Sequence, residues 1–187
     1  MTIEKRLAPA GYQQTVTGRM LSGYAVLWSV ETKINGGTFI EVFERGAFTK
    51  TLADRSGMRD IVGIVDHDPS AYVSRQSNGT MRISEDARGL LVDYDLPETS
   101  LGDEILALAA RKDLAGLSIG FSVAPGGDSF VGNKRTVREA TLFEVSIIRT
   151  HAAVAETADT LSVRSLHQSA EADMRRALYA AILGGAR

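Results

Sequence analysis

Three residues in this chain have the types needed to activate a nucleophile: His67, Ser118 and Glu144. In such a set an imidazole takes the proton of a hydroxyl, and an acid orients the ring and stabilises its cation. Ser118 lies in AGLSIGFSV (115–123). Strand side chains alternate, so Leu117, Ile119, Phe121 and Val123 share one core-like face, and Ser118, Gly120 and Ser122 share a small polar one. Gly116 and Gly120 are expected to leave room there for a substrate backbone. Glu144 lies in TLFEVSII (141–148), with Phe143, Val145 and Ile147 on one face and Leu142, Glu144 and Ser146 on the other. An acid in so apolar a strand is costly without a partner. His67 follows the strand-like IVGIVD (61–66), and Pro69 biases Asp68 toward extended backbone. That context predicts a histidine at a rim, open to solvent.

Each residue also has a purely structural explanation. A strand serine commonly serves packing or hydrogen bonding, and a histidine between Asp66 and Asp68 suits a turn or a surface ion pair. A mid-strand glutamate commonly pairs with a cross-strand arginine, here Arg135 or Arg138. A metal site from Asp66, His67 and Asp68 is disfavoured, because consecutive strand residues point to opposite faces. Residue types and order alone leave the two sets of readings side by side.

The totals narrow the field. The chain has no cysteine, which excludes disulfides, cysteine-ligated zinc and a cysteine nucleophile. Its imidazoles are His67, His151 and His167. A net charge of −2 without a basic patch gives no footprint for nucleic acid. No apolar run reaches the ~20 residues that span a bilayer, so no membrane segment is expected. The opening MTIEKRLAPAGYQQ lacks an apolar core, so no secretory signal is expected. With 44% apolar and 24% charged residues, 187 residues suffice for one ordinary globular core.

The elements that must position these residues follow from periodicity. Strands are expected at 16–28, 38–43, 61–66, 80–84 and 89–96, with turn chemistry at 35–37 and around Asn78-Gly79. A short helix is expected within 44–54. A clearer one spans 100–112, with Ser100 as N-cap, Asp103 at the capping-box position and Leu101, Ile105, Leu108 and Ala109 as its stripe. The Ser118 strand, a glycine-rich loop (125–129) and a strand pair through 134–148 complete a first domain, 1–150. Residues 151–165 read as a linker. Residues 166–187 carry an amphipathic helix or tail, with Leu166, Ala170, Met174, Leu178 and Ile182 four apart. The expected class is mainly β with flanking helices (α+β): a small closed or nearly closed β-barrel surrounded by helices.

Four stretches carry a family resemblance: GYAVLW (23–28), ERGAFTKTLAD (44–54), the run from IVGIVDHDPS to AGLSIGFSV (61–123), and RTVREATLFEVSII (135–148). In that order and spacing, from about residue 20 to about residue 150, the chain resembles the HK97-type phage prohead proteases, which are related to the herpesvirus assemblins. The resemblance implies a serine endopeptidase on an assemblin-like barrel, acting in the bacterial host cytoplasm inside the assembling prohead. Its partners would be the major capsid protein, whose scaffold segment it removes, and its own chain, with the tail as a self-cleavage segment. A homo-oligomer such as a dimer is implied, and no metal or organic cofactor.

Residue by residue, the HDPS motif puts the base at His67, the G-[LM]-S-x-G-F motif puts the nucleophile at Ser118, and the L-x-E-V-S motif puts the third member at Glu144. One departure bears on the third assignment. Where the family often reads Thr-Pro-Ala, this chain has Thr150-His151-Ala152. The assemblins use a late histidine as third member, so His151 rivals Glu144. The same analogy draws oxyanion donors from the main chain around Ile148-Arg149. Two readings from other classes stand beside the protease: a non-catalytic capsid scaffold or assembly protein on the same barrel, and a barrel-type binding module for a small ligand.

Overall fold

The computed structural model describes residues 3–8, 14–34, 37–54 and 60–150; His151, the expected linker and the expected tail lie outside them. Strands dominate, and they form three sheets. The first has five strands in the order β1 (Glu4–Leu7), β10 (Gly116–Ser122), β13 (Thr141–Ile148), β6 (Val62–Val65) and β7 (Asp68–Arg75). The second runs β2 (Thr15–Thr17), β3 (Met20–Leu27), β9 (Gly89–Asp95), β8 (Met81–Glu85). The third runs β11 (Asp128–Val131), β12 (Lys134–Val137), β5 (Phe39–Phe43), β4 (Thr32–Ile34). Pairing is antiparallel except for β13 with β6 and β12 with β5. The mainly-β class is as expected. Among the described residues each sheet keeps open edges, so closure into a barrel is not part of the observed hydrogen bonding.

β10 and β13 lie at the centre of the first sheet and are buried along nearly their whole length, as their apolar and small residues require of strands covered on both faces. One face of the sheet sends Leu117, Ile119, Phe121, Val145 and Ile147 into the main core, where they meet Leu21, Met81, Leu90, Val92 and Tyr94 of the second sheet. Gly23 of β3 has no side chain where one would stand 3.1 Å from Leu117 Cδ1, which lets the two sheets approach. Phe43 stacks on Phe48 at 5.7 Å and meets Phe121 edge-on at 5.3 Å, tying the third sheet to the same core.

β1 is bound to the third sheet by charge. Arg6 and Arg135 lie among Glu4, Glu41 and Asp128, with Arg135 reaching Glu41 Oε2 at 3.0 Å and Asp128 Oδ2 at 2.6 Å. Burial opposes the Arg135 charge, but its hydrogen bonds to Glu4 and Asp128 and the charges of Glu4 and Glu41 outweigh it and hold its pKa above the usual arginine value. The second and third sheets meet where Trp28 bridges Phe43.

Two local expectations shift. Helix α1 is short, Thr49–Ala53. Helix α2 spans Ser100–Arg111, and its N-cap is Thr99, not Ser100. Thr99 has extended backbone and its hydroxyl accepts from Gly102 N, so Asp103 falls one place beyond the capping-box position and binds Arg19 at 2.9 Å instead. The strand pair expected through 134–148 is two strands of different sheets. The chain leaves β12 at Arg138 and Glu139, whose N–H groups donate to Gly127 O, and only then enters β13.

Candidate active site

The hairpin that joins β6 to β7 is as tight as a hairpin can be. Val65 pairs with Asp68, leaving Asp66 and His67 as a two-residue loop with φ of 49° and 57°. Positive φ at both loop positions is the signature of a type I′ turn, whose twist matches that of the strands. Aspartate and histidine are among the non-glycine residues that tolerate it. The turn lies over β13: Asp66 N donates to Ile147 O at 2.9 Å and His67 N to Ser146 Oγ at 2.8 Å. His67 is therefore inside the protein, 1% exposed, and not at an open rim.

The sheet face beneath the turn supplies the other two residues. In the β10–β13 register, Ser118 pairs with Ser146 and Gly120 with Glu144, so Ser118, Glu144 and Ser146 project from one face. His67 Nδ1 is 2.5 Å from Glu144 Oε1, and His67 Nε2 is 2.7 Å from Ser118 Oγ. An ionised carboxylate only accepts, so Nδ1 carries the proton and donates to Glu144, which leaves Nε2 to accept from the Ser118 hydroxyl. Glu144 and Ser118 are fully buried. The structure thus brings His67, Ser118 and Glu144 into one continuous hydrogen-bonded chain, 51 and 77 residues from His67 along the sequence.

Several details depart from the sequence expectations. The carboxylate of Glu144 faces His67; Arg135 is engaged by Glu4, Glu41 and Asp128, and Arg138 by Glu44 and Ser129. The space at Gly120 serves Glu144 and not a substrate backbone: a Cβ there would stand 2.5 Å from Glu144 Cγ and 2.7 Å from its Oε1. The space at Gly116 is bordered by Leu7, whose Cδ1 would be 3.5 Å from a Cβ. The register shifts after Gly120, so that Phe121 pairs with Leu142. Leu142 therefore joins Val145 and Ile147 in the core, and Phe143 falls outside that cluster, reversing the alternation expected for these two residues.

The flanks of the site are charged. Asp66 accepts from the Arg149 backbone N–H at 2.9 Å and from its Nε at 2.6 Å, while Arg149 Nη1 reaches Glu104 of α2 at 2.8 Å. Within the Ile148-Arg149 segment that the assemblin analogy offers to an oxyanion, the Arg149 N–H is thus bound by Asp66. The hydrogen bonds of Glu104 and Asp66 hold the Arg149 pKa above its usual value. On the core side, burial first and the Glu144 charge second push the Tyr94 phenol well above its ordinary pKa, so it stays neutral. Among the described residues no cluster of His, Asp and Glu is arranged to hold a metal ion, and no helix is long and apolar enough to cross a membrane.

Such a chain can move a proton from Ser118 Oγ to Nε2 while the carboxylate balances the charge that appears on the ring. The sequence analysis names three further residues that build it but gives them other roles or none: Asp66 in the turn, Gly120 beneath the carboxylate and Ser146 at the His67 amide. The alternation of TLFEVSII carried a signal for Ser146, since it puts that hydroxyl on the Glu144 face.

No curated protein matches the chain. Among solved structures it is similar to the bacteriophage T4 capsid assembly protease, gp21, with 13% identity and a TM-score of 0.48 over 79% of this chain and 96% of that one. The family model of the caudovirus prohead serine protease, Peptidase_S78, matches residues 10–172. That span takes in the strands that carry Ser118 and Glu144 and the β6–β7 turn that carries His67, and the chain belongs to this family of capsid-maturation serine proteases.

Proposed function

We propose that Ser118, His67 and Glu144 are the nucleophile, general base and orienting acid of this endopeptidase. The observation that carries the reading is the buried chain from Ser118 Oγ through His67 to Glu144 Oε1, with links of 2.7 and 2.5 Å. Ser118 Oγ attacks the scissile carbonyl as its proton passes to His67 Nε2. The resulting imidazolium is held by Glu144 at Nδ1, then protonates the leaving amine, and water repeats the sequence on the acyl-enzyme. The proton transfer from Ser118 to His67, and its support by Glu144, use groups already in contact, so little reorganisation of the triad is needed as charge develops.

On this reading the substrates are the scaffold segment of the major capsid protein and this chain itself, cut inside the assembling prohead in the host cytoplasm. The proposed division is a protease domain at 1–150, a linker at 151–165 and a tail at 166–187 that self-cleavage removes. The three sheets would form an assemblin-like barrel scaffold, a view supported by the Trp28–Phe43 bridge and the Arg6–Glu41 pair at their seams. A dimer is the proposed working form.

The test is the intact mass of the full chain after expression, wild type beside Ser118→Ala. Shortening of the wild type alone, with cuts in the tail, is the expected result. Full-length protein in both, with no cleavage of a co-expressed capsid protein, would overturn the proposal.

A further inference from the structure

Ser146 is polar, fully buried and not used by the proposed mechanism. Its Oγ accepts the His67 backbone N–H at 2.8 Å and donates toward Ile64 O at 3.4 Å. One hydroxyl can do both, having one proton and two lone pairs. The placement has a geometric cause. β6 and β13 run parallel with Val65 beside Ile147, and Asp66 N takes the Ile147 carbonyl. His67, one residue on, is carried out of the sheet plane by the turn, and its N–H is met by a side chain from the same strand, two residues beyond Glu144 and opposite Ser118.

The His67 backbone lies at φ 57°, a conformation L-residues adopt sparingly and one the surroundings have to hold. The ring is fixed at Nδ1 and Nε2, and the amide contact supplies a third point at the root of the side chain. We propose that Ser146 is a positioning residue: by holding the His67 amide it sets where the imidazole emerges from the turn, and so keeps Nε2 on Ser118 and Nδ1 on Glu144. The inference rests on the triad proposed above. A displacement of about 1 Å at such a site can lower a rate by about 100-fold without altering binding.

The experiment is labelling of Ser118 in the full chain by a fluorophosphonate probe, which forms an O–P bond with loss of fluoride and needs the proton of Ser118 removed. The maximal rate and the half-saturating probe concentration are read separately for Ser146→Ala, Ser146→Thr, His67→Ala and the double variant Ser146→Ala/His67→Ala. Ser146→Ala is expected to slow the maximal rate by about 30- to 100-fold and to leave half-saturation within about threefold. Ser146→Thr, which keeps the acceptor oxygen, is expected to recover most of the rate. With His67 already removed, losing Ser146 should cost nothing more, because its effect acts through that ring.

A wild-type rate for Ser146→Ala, a Thr variant as slow as Ala, or an equal further loss on the His67→Ala background would overturn the inference. If Ser146→Ala does not unfold cooperatively, Ser146→Cys, similar in size but a weaker acceptor, replaces it with the same expectations. The failure of the triad looks different: His67→Ala would then label as fast as wild type.

Discussion

Gly120 stands opposite Glu144 across the β10–β13 pair, and the side chain it lacks is the space the carboxylate fills. A methyl group there would meet three atoms of Glu144 at 2.5 to 2.9 Å, closer than real Cβ contacts come. Gly120→Ala should therefore push the carboxylate off His67, lowering the labelling rate of Ser118 by at least about tenfold and destabilising the fold by about 1–3 kcal/mol. Labelling kinetics and denaturant unfolding of the same preparation check both parts. An alanine variant with unchanged rate would mean the carboxylate has another place to stand.

Glu144 and His151 compete for the third role, and two substitutions separate them. Glu144→Gln keeps the size but offers His67 a group that can donate, favouring the wrong tautomer, and should cost up to about 10⁴ in turnover. His151→Ala should leave turnover within about threefold of wild type if Glu144 is the partner. The reverse pattern in the labelling assay would reassign the third member.

Tyr94 sets an alkaline limit on stability. Its hydroxyl is fully buried without a hydrogen-bond partner among the described residues, and its pKa is raised by burial and by the charge of Glu144. The folded pKa lies above the unfolded value of 10.0, so the unfolded chain loses this proton first as pH rises. The contribution is intact below pH 10 and declines above it. Tyr94→Phe should be at least as stable at neutral pH, since it removes an unpaired polar group. It should also lose less stability than wild type between about pH 9 and pH 11. Denaturant midpoints across that range decide it; parallel curves for the two proteins would contradict the assignment.

Arg135 is the residue on which the β1 seam depends. It reaches Glu4, Glu41 and Asp128, and its side chain is 9% exposed. Arg135→Ala leaves the nearly buried Glu41 with Arg6 as its remaining cation and should destabilise the protein by about 3 kcal/mol. Arg135→Lys should recover less than half of that, because an ammonium cannot spread over three carboxylates as a guanidinium fork does. Urea unfolding gives both numbers, and a lysine variant equal to wild type would reduce the cluster to a simple ion pair.

Much of the site was legible in the chain because it depends on local pattern. The period-two alternation around Ser118 and Glu144 marked two strands with polar residues set in apolar runs, and a buried acid needs a partner whatever that partner is. What stayed hidden is set between strands. The register that puts Gly120 under Glu144, and the shift after it that sends Leu142 to the core, exist only once β10 and β13 are paired. The burial of His67 was misjudged because a strand end reads as a rim, whereas a two-residue turn folds this one back over β13.

The sequence by itself determined the chemical parts, the strands that carry them, the absence of any cysteine chemistry and the family resemblance. Tertiary structure decided which faces meet. Glu144 could have paired with Arg135, and Asp66 with any solvent cation; the β13–β6 parallel pairing turned the first toward His67 and the second toward Arg149. The physical reason is that alternation fixes the side of a strand on which a residue lies, while the partner across the gap is set by register, and register is a property of two strands together.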